Sequence, residues 1–183
     1  MPKAPETPNL ILTGFMGTGK STLGRVLAYR WNRPFVDTDE LIEKSTRKTI
    51  AEIFAEKGEA EFRRLEREVV ESKLPASGAI ISCGGGLPIP DGMTDLLKAK
   101  GVVVTLFASA ESILRRTRNR THRPLLQGED PEAVIRKLMA EREPAYLRCG
   151  TSVFSDGRTV QQMVEAVERI YARESKRWIK SKG

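Results

Sequence analysis

The chain has 183 residues and a formal net charge of +7, with 39% hydrophobic and 30% charged residues. This length suits one domain that buries a core without disulfide or metal staples, and the hydrophobic content argues against intrinsic disorder. Two cysteines make neither a disulfide framework nor a zinc site. No apolar run approaches the ~20 residues that span a bilayer, and no signal peptide is recognisable. We therefore expect a cytoplasmic protein without a membrane partner.

Short apolar runs alternate with helical periodicities along the chain. The runs predict strands at residues 9–13, 34–37, 79–83, 101–107 and 151–154. Apolar residues at helical spacing predict helices near 23–27, over 39–74 with a break near Gly58, near 113–114, near 135–139 and over 160–171. This alternation predicts an α/β fold in which helices cover both faces of a mostly parallel sheet. Ligands bind such sheets beyond the carboxyl ends of the strands, so we expect functional residues directly after each run.

The most specific motif follows the first predicted strand. Residues 14–22 read GFMGTGKST and match G-x-x-x-x-G-K-[ST] between a strand and a helix. The glycines let successive N–H groups surround an anion, the lysine supplies a mobile charge for the β- and γ-phosphates, and the serine hydroxyl is a ligand for Mg²⁺. A glycine-rich turn with an incidental lysine is the alternative, but a chance match has a probability on the order of 1%. The predicted nucleotide-binding residues here are Gly14, Gly17, Thr18, Gly19, Lys20, Ser21 and Thr22.

Two further segments follow predicted strands. Asp37 and Asp39 can serve two ligands, one holding Mg²⁺ through water and the other accepting a substrate hydroxyl and its proton. Helix capping by Asp39 is the alternative interpretation. Gly84, Gly85 and Gly86 suit a close approach of backbone to a ligand, with a flexible turn as the alternative. The Asn-Lys-x-Asp motif with which GTPases recognise guanine is absent, so these segments favour a kinase that acts on a small acceptor.

Five motifs in one order resemble a known family. They are GFMGTGKSTLG at 14–24, FVDTD at 35–39, FRRLE at 62–66, GGG at 84–86 and RPLL at 123–126. Together they resemble the shikimate kinases, which belong to the nucleoside-monophosphate-kinase-like group of P-loop proteins. The resemblance runs from about residue 9 to 171, nearly the whole chain.

The resemblance implies a fold, a reaction and a division of the chain. It implies a three-layer P-loop kinase fold with a five-stranded parallel sheet in the order 2-3-1-4-5, a substrate-binding region and a mobile lid at about 115–128. It implies transfer of the γ-phosphate of ATP, with Mg²⁺, to the 3-hydroxyl of shikimate in aromatic amino acid biosynthesis. The kinase domain would cover 9–171, between a flexible leader at 1–8 and a basic extension at 172–183, which we expect to be a frayed, solvated tail.

The resemblance also implies roles for residues around the acceptor. Asp37 would assist Mg²⁺ through water beside Ser21, and Asp39 would bind shikimate hydroxyls as the candidate base. Arg63 and Arg142 would hold the shikimate carboxylate, while the backbone of the Gly84, Gly85 and Gly86 segment closes the pocket. The chemistry agrees, because a forked guanidinium binds a carboxylate in a bidentate way that lysine cannot reproduce.

Three arginines are implied on the nucleotide side. Arg123 on the lid would reach the transferring phosphate and complete a catalytic set with Lys20 and Asp39. Arg116 would pack near adenine, and Arg158, in the loop after the last strand, is a further candidate for ATP contact. Phosphoryl transfer depends on positioning and charge neutralisation more than on covalent chemistry, so a convergence of cations fits the reaction.

Alternatives stay open beside these roles. Arg63 also suits a surface ion pair and Arg142 a helix end, and the segment after Pro144 departs from the family pattern. A gluconate kinase would keep the P-loop and lid without this acceptor set. The arginine cluster at 115–123 would suit a nucleic-acid-binding protein, but no recognition module accompanies it. We expect a monomer whose partners are ATP and shikimate, with no nucleic acid.

Overall fold

A computed structural model of the chain describes residues 7–117 and 130–182. The strands are β1 (Asn9–Gly14), β2 (Phe35–Asp37), β3 (Ile80–Ser82), β4 (Gly101–Phe107) and β5 (Thr151–Phe154). The helices are α1 (Lys20–Trp31), α2 (Thr38–Thr46), α3 (Ile50–Glu68), α4 (Met93–Lys100), α5 (Ala110–Thr117), α6 (Pro131–Cys149) and α7 (Val160–Lys182), and a π-helical turn at Val69–Lys73 follows α3. The predicted Arg123 lies outside the described residues, as does the expected lid beyond residue 117.

The five strands form one parallel sheet in the order β2-β3-β1-β4-β5. β1 lies at the centre, where Leu10 pairs with Ile80 of β3 on one side and with Val102 of β4 on the other. Every residue of β1 and β4 is buried, as parallel strands covered on both faces should be. The α/β fold class predicted from the alternation of elements and the strand order implied by the resemblance are therefore confirmed.

The core has a layer on each face of the sheet, because successive strand residues point to opposite faces. Ile11 and Ile81 pack on the face that carries α2, α3 and α4, whereas Leu10 and Leu12 pack on the face that carries α1 and α7. A third cluster, which joins α5 and α6 to the start of the P-loop, centres on Phe15. The sheet is thus packed on both faces, and the start of the P-loop is packed against α5 and α6.

The helical segment predicted at 39–74 has one more break than expected. The kink at Gly58 (φ 76°, ψ 179°) is present, but α2 also ends at Arg47, which adopts a left-handed conformation (φ 56°). α3 then begins at Thr49 with a capping box, in which Thr49 and Glu52 satisfy each other's backbone N–H groups. The spacing Thr-x-x-Glu is a sequence signal for such a start. α4 was also not predicted, because it is short and buries only Met93 and Leu97.

The expectation of a frayed tail after residue 171 is wrong over 172–182. α7 continues as a helix to Lys182, and the indole Nε1 of Trp178 donates a 2.8 Å hydrogen bond to the carbonyl oxygen of Lys98. Trp178 also packs against the apolar cluster beneath α1 and α7. One anchored aromatic residue thus holds a stretch whose charged side chains otherwise face water. Among the described residues, no helix combines the length and apolar character that a membrane crossing needs.

Candidate active site

The P-loop lies between β1 and α1, at the carboxyl end of the central strand. Gly14, Gly17 and Gly19 all have positive φ angles, of 128°, 76° and 99°. A Cβ on Gly14 would also collide with the carbonyl oxygen of Leu106 in β4. Glycine is therefore required here both for the turn of the loop and for its closeness to the neighbouring strand.

The anion-binding character of the loop comes from α1 as well as from Lys20. The Gly19 N-cap makes no side-chain capping bond and the first turn of α1 contains no acidic residue, so no carboxylate competes for the N–H groups at its positive end. Lys20 is 8% exposed and its Nζ donates to the carbonyl oxygens of Gly14 (2.8 Å) and Phe15 (2.9 Å). The hydroxyl of the buried Thr18 donates to Phe15 as well (2.8 Å), which stiffens the turn.

A cluster of oxygen atoms lies beside the P-loop. The hydroxyl of Ser21 donates to Asp37 Oδ2 at 3.1 Å and lies 3.1 Å from the hydroxyl of Ser82. These hard donors fit Mg²⁺, which is held by one or two protein oxygens together with water and phosphate. Ser82 was not predicted, although β2 and β3 pair Asp37 with Ser82 at their carboxyl ends. A polar residue at the end of the apolar run AIIS was the available signal.

Asp37 and Asp39 have different environments. Asp37 is the N-cap of α2, because its Oδ1 accepts the backbone N–H of Asp39 at 3.1 Å. The interpretation of Asp39 as the helix cap is therefore wrong, and the carboxylate of Asp39 is not used in capping. Asp39 Oδ1 is buried without a hydrogen-bond partner. Burial and the neighbouring Asp37 raise the pKa of Asp39 to about 6, against the lowering effect of Lys20 and Arg63.

Arg63 makes the i,i+4 ion pair of the surface interpretation with the exposed Glu59, but it also contacts the buried Glu66 and the glycine segment. Its Nη1 donates to Glu66 Oε2 at 2.6 Å and its Nη2 to Glu59 Oε1 at 2.8 Å. The guanidinium lies against Gly86, where a Cβ would come within 2.6 Å of Nη2. Glu66 is 1% exposed and its Oε1 has no partner. Burial raises the pKa of Glu66 to about 7, although Arg63 lowers it. A role for Glu66 was missed because helix periodicity gives no sign of burial for a glutamate in a charged segment.

The glycine segment at 84–86 joins the two halves of the site. A Cβ on Gly84 would lie 2.5 Å from Asp39 Oδ1, so this position tolerates only glycine beside the carboxylate. Gly84 N–H donates to the hydroxyl of Thr38 at 2.9 Å, and the hydroxyl of Tyr146 donates to the carbonyl oxygen of Gly85 at 2.6 Å. The segment is thus a fixed loop and not a flexible turn, while its close approach to a ligand stays a prediction.

Arg142 approaches the same region from α6. Its guanidinium carbon lies 5.5 Å from the ring centre of Phe15, at the start of the P-loop. Pro144 does not end α6, which continues through Tyr146 to Cys149 and places that tyrosine one turn beyond Arg142. The departure from the family pattern after Pro144 therefore leaves the helix intact.

The nucleotide side of the P-loop is linked to β5. Arg116 Nη1 donates to the carbonyl oxygen of Gly17 at 3.3 Å and to the hydroxyl of Ser155 at 3.0 Å. Asp156 accepts the backbone N–H of Ser109 at 2.7 Å, which fixes the turn after β5. Arg158, in the same turn, and Thr22, in the first turn of α1, are exposed. The structure thus brings Arg116 to the loop, while ATP contacts of Arg158 and Thr22 stay predictions.

A parallel sheet of this order, with a glycine-rich loop that opens α1 and carboxylates after β2, defines a P-loop kinase of the small-metabolite class. The family model described as shikimate kinase matches residues 16–172. The chain therefore belongs to the shikimate kinase family, whose members phosphorylate shikimate with ATP, and this function predicted by the resemblance is confirmed.

Individual members of this family are similar to the chain over most of its length. A shikimate kinase of Deinococcus radiodurans is 46% identical over 162 residues, which cover 88% of this chain and 82% of the relative. One from Thermodesulfovibrio yellowstonii is 39% identical over 165 residues, with 90% and 95% covered. The solved structure of the Acinetobacter baumannii shikimate kinase in complex with shikimate has a TM-score of 0.86 at 33% identity and covers 93% of this chain and 96% of that one. A gluconokinase of Sinorhizobium meliloti, at 17% identity and a TM-score of 0.61 with 99% of both chains covered, shares the fold.

Proposed function

We propose that the chain transfers the γ-phosphate of ATP to the 3-hydroxyl of shikimate through the residues assembled around Asp39. The observation that carries this proposal is the buried, unpartnered Oδ1 of Asp39, beside the glycine segment and close enough to Lys20 and Arg63 for their charges to lower its pKa. A hydroxyl donor from the acceptor would satisfy this oxygen. The site therefore suits an acceptor with at least one hydroxyl group.

Arg63 and Arg142 are proposed to hold the acceptor's carboxylate. Arg63 is oriented by Glu59 and Glu66, so its fork is already fixed before an acceptor arrives. Two guanidinium groups from different helices can place one carboxylate in a defined orientation. Shikimate, which has one carboxylate and three hydroxyls, matches that combination.

Asp39 is proposed to act as the base. Its pKa of about 6 is close to neutral pH, where a general base combines an ionised state with useful proton affinity. It accepts the hydroxyl proton as the acceptor oxygen bonds to the γ-phosphorus and the bond from that phosphorus to the β,γ-bridging oxygen breaks, which releases ADP. The buried Oδ1 of Asp39, which has no hydrogen-bond partner, supports this role.

The phosphates of ATP are proposed to bind the P-loop backbone, the first turn of α1 and Lys20. Ser21 and Asp37 would hold Mg²⁺, directly and through water, with Ser82 beside them. That ion neutralises charge on the phosphates when bound. Arg116 would order the adenine side, and Arg123 would reach the transferring phosphate, although Arg123 lies outside the described residues.

Steady-state turnover tests the proposal. ADP release is measured with ATP, Mg²⁺ and a panel of hydroxy acids that includes shikimate and gluconate. Turnover of shikimate alone supports the proposal, whereas turnover of gluconate without shikimate contradicts it. Salt-dependent oligonucleotide binding without shikimate turnover would instead favour the nucleic-acid alternative.

Two further proposals concern the oligomeric state and the cellular location. We infer a monomer, which light scattering during size-exclusion chromatography tests. A cytoplasmic location, expected from the composition, is tested by cell fractionation. A dimer in solution or a membrane-associated fraction would contradict the respective expectation.

A further inference from the structure

Each peptide plane of the glycine segment is fixed by one hydrogen bond. The Cys83–Gly84 plane is held by the N–H of Gly84, which donates to the hydroxyl of Thr38 at 2.9 Å. The next plane is held by the carbonyl oxygen of Gly84, which accepts the N–H of Leu87 at 3.1 Å. The third plane is held by the carbonyl oxygen of Gly85, which accepts the hydroxyl of Tyr146 at 2.6 Å. Three glycines, the residues with the largest backbone freedom, are therefore immobilised in succession.

Two of the three holding groups are side chains from elements that carry proposed acceptor-binding residues. Thr38 is fully buried and lies between Asp37 and Asp39, so its hydroxyl ties the segment to the strand end that bears both carboxylates. Tyr146 is 2% exposed and follows Arg142 by one helical turn, so its hydroxyl ties the same segment to α6. Residues far apart in the chain are thus joined through one loop.

The two backbone groups that remain point to a ligand. Within the part of the chain that the structure describes, neither the N–H of Gly85 nor that of Gly86 has a hydrogen-bond acceptor. A planar peptide directs its N–H opposite to its C=O. The hydrogen bonds that fix the Gly84 and Gly85 carbonyl oxygens therefore also fix the directions of the Gly85 and Gly86 N–H groups. Gly86 lies against the Arg63 guanidinium. Gly86 therefore lies beside the arginine, whereas Gly85 lies beside the P-loop, since a Cβ on it would be 3.4 Å from the backbone nitrogen of Met16.

We propose that Thr38 and Tyr146 are positioning residues, whose hydroxyls clamp the Gly84–Gly86 segment between α2 and α6 and aim its free N–H groups at the anionic and hydroxyl oxygens of the acceptor. This inference rests on the proposed function. Burial raises the pKa of the Tyr146 phenol to about 12, so it stays a donor throughout the neutral range. An acceptor that meets fixed donors does not lose the free energy of ordering a mobile glycine loop.

The test compares Thr38→Val and Tyr146→Phe, which remove each hydroxyl and keep the side-chain shape. We expect each to raise the KM and the calorimetric Kd for shikimate roughly tenfold, and to leave the KM for ATP within about twofold. Thr38→Ser, which retains the hydroxyl, should restore the shikimate KM. The double variant should raise the shikimate KM by less than the product of the two single increases, because both hydroxyls act on one loop.

Matched controls separate positioning from stability. Tyr171→Phe removes a buried phenol that donates to the carbonyl oxygen of Pro8, at the opposite end of the sheet. Thr46→Val removes a hydroxyl that bonds within α2, to Ile42 at 2.8 Å. Both should lower the thermal midpoint without a change in the shikimate KM.

An unchanged shikimate KM in both Thr38→Val and Tyr146→Phe would overturn the inference, as would equal changes in the KM values of the two substrates. If one variant does not fold, the other decides the question by itself. Absence of shikimate turnover in the wild-type protein would instead overturn the proposed function, so the two failures are distinguishable.

Discussion

Asp39 and Glu66 direct their unpartnered carboxylate oxygens toward the same point beside Gly84. A Cβ on Gly84 would lie 2.5 Å from Asp39 Oδ1 and 3.2 Å from Glu66 Oε1. Both oxygens are buried, and burial raises the pKa of Asp39 to about 6 and that of Glu66 to about 7, with the charge of Asp39 adding to the rise at Glu66. Two acids that would both be ionised in water at neutral pH therefore titrate there in the folded protein.

The first prediction concerns the pH dependence of activity. The kcat/KM for shikimate should rise as the pH passes through about 6, because the carboxylate of Asp39 must be ionised to accept a proton. Asp39→Asn should retain the Kd for ATP and lose roughly 10²- to 10⁴-fold in kcat. Stopped assays of ADP formation from pH 5 to 8 measure both effects. Near-normal kcat in Asp39→Asn would show that this residue is not the base.

The second prediction concerns the pH dependence of stability. Both pKa values are higher in the folded protein than the ordinary values of 3.8 and 4.5, so between these limits the folded state binds more protons than the unfolded state. Their contribution to the free energy of unfolding is therefore fully present at low pH and is lost as the pH rises through about 6 and 7.

Urea denaturation between pH 5 and 8 measures this loss. Glu66→Gln, which cannot ionise, should show a shallower decline than the wild type. Lowered pKa values of exposed acids such as Glu61 and Glu68 act in the opposite direction, but below this window. An equal decline in both proteins would mean that Glu66 is already ionised at pH 5.

The third prediction separates two neighbouring arginines of α3. Arg63→Ala should raise the KM for shikimate roughly 10- to 100-fold, since a charge-assisted hydrogen bond contributes about 1.5–3 kcal/mol. Arg64→Ala is the matched control, because Arg64 pairs with Glu61 and Glu68 on the exposed surface. Initial rates over a range of shikimate concentrations measure the KM of both variants. A change confined to the KM for ATP in Arg63→Ala would count against binding of the carboxylate.

The fourth prediction addresses the link between the P-loop and β5. Arg116→Ala removes the hydrogen bonds to Gly17 and Ser155 and should raise the KM for ATP several-fold, with little effect on the KM for shikimate. Arg115→Ala, at an exposed neighbouring position, serves as the control. Equal effects of the two substitutions would indicate a general charge effect in place of a specific contact.

The fifth prediction concerns the end of α7. Trp178→Ala removes the bond to Lys98 and half-buried apolar area, and should lower the free energy of unfolding by about 1–3 kcal/mol without a change in kcat. Lys180→Ala, on the exposed side of the same helix, should be neutral. Denaturant titration of the two variants provides the measurement. An equal free energy of unfolding in Trp178→Ala and the wild type would mean that the C-terminal turns do not stabilise the domain.

The parts of the fold and site that follow from local pattern were predictable. The strands are short apolar runs, and β4 was placed at the bounds it has, because burial on both faces leaves a continuous hydrophobic signal. The P-loop was found because its chemistry demands specific residues at fixed spacing. The convergence of Asp39, Arg63 and the glycine segment on one cleft followed from the resemblance and from the rule for strand ends.

The parts that depend on tertiary contact were not predictable from pattern. The capping role of Asp37, in place of Asp39, depends on where α2 begins, which is a matter of one residue. Burial of Glu66 depends on Arg63 and Gly84, and the helical state of 172–182 depends on a contact between Trp178 and a carbonyl 80 residues away. Such contacts leave no periodic signal in the sequence.

The central place of β1 determines when a nucleotide site can exist during synthesis. β1 is translated before both of its neighbours, which come much later in the chain, since Leu10 pairs with Ile80 and with Val102. Gly14 is shaped by the Leu106 carbonyl, so the P-loop lacks one of its walls until β4 has left the ribosome. Pairings so distant in sequence form slowly. A nascent chain that ends before β4 should therefore be unable to bind ATP, even though it already contains the entire phosphate-binding motif.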